Sequence, residues 1–462
     1  MAEVRVVIGL FIHNVYNVSM NSSYDQSDPQ SILAYAKKLV GKSLKSAVGD
    51  KLRVKRKGKG GVGQDVESCY FGIKNSNAAE PDFKEAGVEL KTFPLKKNKE
   101  GGYVAKERIS LGMIDYHDLV NEKWETSALL NKNSLLLLIA YLYEREIIDP
   151  WDYVFKVAAL WRFPETDLKI IKDDWLRIQS KVRSGKAHEL SEGDTLYLGA
   201  VTKSSDSTKR RKQPYGTVTA KPRAFSLKQN YVNIVLTKIF GVESAKTMSA
   251  VITDLKSYSG GESFEELVIR RFQPYVGLTL DSLTQRFNVN PRAKNFAAIV
   301  TNRILGVKTR KVEEFEKAGI TVKTIRLNRN GKPEEAMSFP FFHFKEIIKE
   351  EWESSTLREM LSGRFFFVIY KKDERGNYRL HKVKFWSMPI TDLEGSVRGV
   401  WENTRRCIIN GLLDGFTKTS DDMVAHIRPH GRNAADVDEL PSGKKTTKRC
   451  FWINLHYLKE QI

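Results

Sequence analysis

Residues 81–95 read Pro81-Asp82-Phe83-Lys84-Glu85-Ala86-Gly87-Val88-Glu89-Leu90-Lys91-Thr92-Phe93-Pro94-Leu95, and this stretch decides the fold. Residues 87–95 read as a strand, followed by a polar turn at 98–102. Glu89 and Lys91 are two apart, so their side chains leave the same face of that strand. Asp82, behind Pro81, sits where it can turn back to meet them. Two carboxylates and a lysine on one face are costly to bury without a counter-ion. Mg²⁺ supplies one, because it takes hard oxygen ligands and keeps waters for chemistry. Asp82 and Glu89 are therefore candidate metal ligands, and Lys91 a candidate to orient or deprotonate an attacking water. Alone, this D-x6-E-x-K spacing also fits an edge strand with a surface ion pair.

The surroundings extend the reading. Helical spacing of apolar residues marks 31–40, 167–184 and 228–240, and a further helix is expected over 64–71, entered through Gly61 and Gly63. Strands are expected over 103–111, 135–143, 154–161 and 195–202. Strands flanked by helices read as α/β. Glu67, on the helix before the motif, is a further carboxylate for the site, and Lys132 lies just ahead of the 135–143 strand. A solvated helix face and an ordinary surface lysine are their bland alternatives. His188 reads as structural, and Trp124 and Trp352 as core or capping residues.

The second half starts over. Asp82-Phe-Lys-Glu-Ala-Gly-Val-Glu89-Leu-Lys91-Thr92 is echoed by Glu314-Phe-Glu-Lys-Ala-Gly-Ile-Thr321-Val-Lys323-Thr324. Trp124-Glu-Thr-Ser127 is echoed by Trp352-Glu-Ser-Ser355, and Arg223-Ala-Phe225 with Tyr231 by Arg449-Cys-Phe451 with Tyr457. Three echoes in one order imply an internal duplication. The division expected is an N-terminal extension over 1–30, a first domain over 31–240, a linker over 241–262 and a second domain over 263–462.

The chain carries 76 Lys and Arg against 56 Asp and Glu, a formal charge of +20, which points to an anionic partner such as nucleic acid. A basic protein that is merely soluble is the bland alternative. Three scattered cysteines give no disulfide framework or zinc site and suit a reducing cytoplasm. No apolar run is long enough to span a membrane. The start lacks the features of a signal peptide, and Met20 is expected to be the natural start, with residues 1–19 an upstream extension.

Five segments in order, KGGVGQDVE (59–67), PDFKEAGVELKTFPL (81–95), KWETSALLNK (123–132), DDWLRI (173–178) and PRAFSLKQNYVNIVL (222–236), resemble the MutH mismatch-repair endonucleases and the GATC-specific restriction endonucleases of the Sau-three-A type, within the PD-(D/E)xK superfamily. The resemblance covers about 31–240, and the two-half layout is similar to the restriction enzymes. It implies two tandem MutH-like endonuclease-fold domains, each a mixed sheet flanked by helices, forming a pseudo-dimer within one chain. It implies that Asp82 and Glu89 bind Mg²⁺, that Lys91 serves the attacking water, and that Glu67 and Lys132 complete the site. Lys59 would contact DNA, and the segment around Lys203, with the basic loop Lys209, Arg210 and Arg211, would lie at the major groove. The pattern departs at Val201-Thr202, where the repair proteins have Arg-Pro, and at Ser226, where they have tyrosine.

The second half keeps the scaffold and loses the chemistry: Thr321 replaces Glu89, and Thr301 falls opposite Glu67. It keeps the Arg-Pro pair at Arg428-Pro429, and Arg428 is a candidate for a bidentate guanine contact. A DNA-binding, non-cleaving copy is expected, with a purely structural remnant as the alternative. The function implied is a Mg²⁺-dependent type II restriction endonuclease cutting double-stranded DNA before the G of 5′-GATC-3′. The competing readings are a strand-nicking repair endonuclease and a non-catalytic DNA-binding regulator. The expected associations are a DNA-induced homodimer and a cognate methyltransferase as a genetic, not physical, partner.

Overall fold

The computed structural model describes residues 24–49, 61–73, 80–204, 206, 208–242, 247–293, 295–433 and 435–462. The chain is mixed α/β and groups into two compact units: Met1–Ile109 with Lys123–Phe163, and Ser110–Glu122 with Pro164–Ile462.

The first unit is built on a four-stranded sheet. Glu89–Lys97 lies between Tyr103–Ala105, antiparallel to it, and Leu136–Leu142, parallel to it; Phe155–Trp161 then pairs antiparallel with Leu136–Leu142. The Leu136–Leu142 strand is apolar throughout because it is central and covered on both faces. Ile32, Ala36, Val66, Leu137, Ile139 and Trp151 belong to the core beneath it. The helix Pro29–Lys37 starts where Asp28 accepts hydrogen bonds from the Gln30 and Ser31 backbone N–H groups.

The strand expected over 103–111 is two strands. Tyr103–Ala105 closes the first sheet, whereas Ile109–Met113 joins a separate sheet with Arg223–Leu227 and Leu198–Thr202. Periodicity is the same on both sides of residues 106–108, so only the tertiary pairing shows the break. The strand expected from 195 begins at Leu198, because the Leu196, Tyr197 and Leu198 N–H groups all donate to the buried Asp174 carboxylate (2.6–2.9 Å).

In the second unit the strand order repeats. Thr321–Leu327 runs parallel to Phe365–Lys372, which pairs antiparallel with Tyr378–Trp386. Glu89 pairs with Leu136 and Lys91 with Leu138; Thr321 pairs with Phe365 and Lys323 with Phe367. The three-stranded sheets repeat as well, with Arg223–Leu227 central in one and Arg449–Ile453 central in the other. Ser127 and Ser355, both fully buried, each donate to the carbonyl of the echoed tryptophan (2.9 and 3.0 Å) and cap the helix that follows. The Tyr231 hydroxyl donates to Asp167 (3.0 Å), and the Tyr457 hydroxyl donates to Asp392 (2.6 Å). All three sequence echoes therefore hold equivalent structural places. Trp124 and Trp352 are buried, as core residues should be.

The compact units cut across the sequence division at residue 240, since residues 164–240 group with the second half. Polar contacts within the second unit, the buried Lys317–Asp167 pair among them, give the reason. Lys317 Nζ lies 2.6 Å from Asp167 Oδ1 and 3.0 Å from Glu313, and Lys238 meets Glu313 at 2.6 Å. Arg177 and Arg364 share Glu265 at 2.9 and 2.6 Å. The stretch 241–262 is stitched into the same unit, because the buried Glu314 carboxylate accepts the Val251 and Ile252 N–H groups (2.9 and 2.8 Å). Among the described residues, no helix is long and apolar enough to cross a membrane. The three cysteines are free and buried.

Candidate active site

The first unit brings Glu67, Asp82, Glu89, Lys91 and Lys132 together. Glu89 opens its strand and Lys91 follows two residues on, so both side chains leave one face. Phe83 and Val88 bridge across the short loop that carries Gly87 at φ 64°, the left-handed region where glycine carries no steric penalty. That loop returns Asp82 to the strand. Asp82 Oδ2 accepts the Leu90 N–H (2.9 Å), and the Asp82 N–H donates to Glu89 Oε2 (3.1 Å). The other Glu89 oxygen accepts from Lys91 Nζ at 2.6 Å and faces Lys132 Nζ at 3.5 Å. Glu89 is only 2 % exposed.

Glu67 sits on a π-helical turn, Val66–Tyr70, that follows the α-turn Val62–Asp65. Such turns are concentrated at functional sites because they re-aim a side chain within a helix. Burial and the nearby Asp82 charge push the Glu67 carboxyl up to about 7, with Glu89 adding to the shift and Lys91 and Lys132 opposing it. Burial likewise raises Glu89, against the pull of Lys91. Carboxylates held above their usual range by burial and by one another form a site short of positive charge.

Among the described residues, no group of three or more His, Cys, Asp and Glu is arranged to hold a metal ion. Mg²⁺ does not need one: it binds through one or two carboxylates, waters and substrate oxygens. Asp82 and Glu89, held together by the Asp82 N–H and facing two lysines, suit that mode.

The raised Glu67 carboxyl has a stability consequence. Its contribution is fully present below its ordinary value of 4.5 and is lost as pH rises through about 7. In metal-free buffer, Glu67→Gln should therefore be more stable than the parent above pH 7, by roughly 2 kcal/mol after allowing for its partial exposure. The gain should vanish near pH 4. Urea unfolding at both pH values checks this, and equal stability of the two proteins at high pH would refute it.

Some anchors were not read from sequence. Trp151 Nε1 donates to Asp65 (2.9 Å), tying the turn before Glu67 to residues 150–152. That turn lies against the strand: a side chain added at Gly63 would meet Thr92 Cβ at 3.6 Å, an ordinary contact. Ser127 caps the helix carrying Lys132. The Trp-Glu-Thr-Ser repeat was the available signal for Ser127; Asp65 and Trp151 are 86 residues apart and gave none.

In the second unit, Lys203, Lys209, Arg210 and Arg211 line one pocket of about 280 Å³. Lys203 Nζ donates to Ser110 Oγ (2.9 Å), and Arg211 is held by a backbone bridge to Ala220. Arg428 is exposed, stacked over Trp452 at 5.5 Å and bonded to Thr419 (3.1 Å). Arg428 pairs with Cys450 as Val201 pairs with Ala224, so the Arg-Pro pair and Val201-Thr202 occupy one register. Trp452 stands where the first half has Ser226. His188 bonds Gln213, a structural role. Lys59 lies outside the described residues.

The second unit does not repeat this cluster at the equivalent positions. Thr321 is exposed, and Lys323 Nζ donates to the Ser338 carbonyl (3.2 Å), with burial lowering its pKa. Thr301 Oγ1 donates back to Ala297 (3.0 Å) within its own helix.

The family described as DNA mismatch repair enzyme MutH matches residues 71–174 and 305–395. The type II restriction enzyme Sau3AI of Staphylococcus aureus is 35 % identical over 94 % of this chain and 98 % of its own length. The DNA mismatch repair protein MutH of Shewanella woodyi is 31 % identical over 42 % of this chain and 82 % of its own. That of Shewanella baltica strain OS195 is 26 % identical over 40 % and 82 %. This chain belongs to the MutH-related family of type II restriction enzymes.

Proposed function

We propose that this protein is a type II restriction endonuclease that hydrolyses phosphodiester bonds in double-stranded DNA, with its active site at Asp82, Glu89 and Lys91. The observation that carries the reading is the clustering of this trio with Glu67 and Lys132, in a protein whose second copy has lost the same set. Asp82 and Glu89 would hold Mg²⁺, which supplies stabilisation of the charge that grows on the phosphate. Lys91 orients the attacking water and draws off its proton. Lys132, on the same Glu89 oxygen, keeps that carboxylate turned into the site. Glu67 supplies the further carboxylate. The cut leaves a 5′ phosphate.

The target implied by the family resemblance is 5′-GATC-3′, cut before the G. Lys203, Lys209, Arg210 and Arg211 would hold DNA in the first half, and Lys59 would add a contact. The second half serves as a DNA-binding copy without catalysis, with Arg428, preorganised over Trp452, as its base reader. Two tandem endonuclease-fold domains, a pseudo-dimer within the chain, explain the repeated strand orders. The two family-matched segments begin at Phe71 and Leu305, each just ahead of a left-handed glycine, Gly72 or Gly306.

One catalytic set per chain makes a double-strand break a two-chain event. Plasmids with one and with two GATC sites should therefore be linearised at different rates in Mg²⁺; equal rates at every enzyme concentration would refute DNA-induced association. In the same gel, nicked circles as the sole product would mark a nickase. Untouched plasmid would mark a DNA-binding regulator.

A further inference from the structure

The helix Phe296–Ile304 holds the place of the Glu67 helix. Val300, Thr301 and Ile304 are buried on its inner face, while Ala298 and the end residue Asn295 are exposed. Beside its outer face lies a cavity of about 340 Å³, lined by Asn295, Asn302, Arg303, Lys308 and Arg310 among others, with no acidic residue in its wall. The Asn302 side-chain amide donates to the carbonyls of Thr309 (3.2 Å) and Arg310 (3.0 Å), folding the following loop back onto the helix. Arg303 Nη1 donates to the Val307 carbonyl (3.2 Å), which pins the loop from the other side. Gly306, at φ 80°, makes the turn between them.

The cations are left over by this arrangement. Lys311, next along the chain, pairs with Glu316 at 2.7 Å, and Lys317 pairs with Asp167 and Glu313. Among the described residues, the Lys308 and Arg310 side chains have no such partner, and Arg303 meets only a neutral carbonyl. Three like charges around one cavity repel one another unless an anion enters. Two guanidinium groups, one ammonium and the Asn295 carboxamide suit phosphate oxygens.

We propose that Arg303, Lys308 and Arg310, with Asn295 at the rim and Asn302 holding the loop, form a phosphate-binding pocket that takes a backbone phosphate of duplex DNA. It lies on the helix face opposite Thr301, outside the place of the lost catalytic set. The inference rests on the reading of the second half as DNA-binding. The contact is to backbone, so it adds affinity without sequence preference.

The test uses the full chain in metal-free buffer, with fluorescence anisotropy of labelled duplexes with and without GATC between about 50 and 300 mM salt. Lys308→Gln with Arg310→Gln should flatten the slope of log affinity against log salt by about 1 to 2, because each lost phosphate contact removes about 0.9. Affinity should fall about 10-fold at the middle of that range, with the preference for GATC unchanged. Lys308→Arg with Arg310→Lys, which keeps both charges, should retain the parent slope. An unchanged slope in the Gln variant would overturn the pocket while leaving DNA binding intact. Failure of the parent to bind duplex at all would instead defeat the wider reading. An equal loss in Lys345→Gln with Lys349→Gln, which removes the same charge from paired surface lysines, would overturn it in favour of general electrostatics. Inorganic phosphate at constant ionic strength should weaken duplex binding by the parent more than by the Gln variant. Phosphate binding that the variant loses without any change in DNA affinity would reassign the pocket to free phosphate and overturn the proposal.

Discussion

Asp82→Ala and Lys91→Ala should each lower DNA cleavage by about a thousand-fold or more while duplex binding persists. The two fail for different reasons. Asp82→Ala removes a candidate metal ligand and the acceptor for the Leu90 N–H, a loss of about 1 kcal/mol that the fold tolerates. Lys91→Ala leaves the Glu89 carboxylate nearly buried, with Lys132 at 3.5 Å as the remaining cation nearby. Its carboxyl should then rise further, since Lys91 is the strongest influence holding it down. The half-saturating Mg²⁺ concentration should therefore shift upward in Asp82→Ala. In Lys91→Ala the maximal rate should fall at every Mg²⁺ concentration. Plasmid cleavage over a Mg²⁺ titration, with anisotropy as the binding control, measures both. Parent-like cleavage by either variant would remove these residues from the mechanism.

Lys317→Met should destabilise the protein by about 3–5 kcal/mol. The ammonium is 6 % exposed and Asp167 3 % exposed, so the substitution strands a buried carboxylate that is also bonded to Tyr231. Burial alone would lower the Lys317 pKa, but Asp167 and Glu313 outweigh it and hold the group charged. Adding Asp167→Asn to Lys317→Met should recover much of the loss, because the carboxamide still accepts from Tyr231 without carrying charge. Urea unfolding of the three proteins reads this. A loss under about 1 kcal/mol for Lys317→Met would show the pair to be dispensable.

Lys317 also shows what duplication does to a sequence. It holds the place of Glu85, an exposed loop residue in the first copy. Glu314 holds the place of Asp82, yet it anchors the backbone at Val251 and Ile252 rather than facing a catalytic partner. In the second copy these positions instead hold Asp167 and the Val251 and Ile252 backbone within the second unit.

The sequence by itself determined the strand that carries Glu89 and Lys91, the α/β class and the repeated segments. Those depend on short-range rules: alternation sets Glu89 and Lys91 on one face, and a left-handed glycine turns Asp82 back to them. The echoes were legible for the same reason, since a cap such as Ser127 or Ser355 is a local device. Tertiary structure decided the rest. Glu67 and Lys132 reach Glu89 from elements far away in sequence, and no periodicity encodes that meeting. The break at residues 106–108 reflects a choice between two sheets that offer the same backbone hydrogen bonds. The grouping of residues 164–240 with the second half is fixed by buried ion pairs such as Asp167–Lys317, 150 residues apart. Charged partners of this kind are selected by which groups lose water together, and only the packed chain decides that.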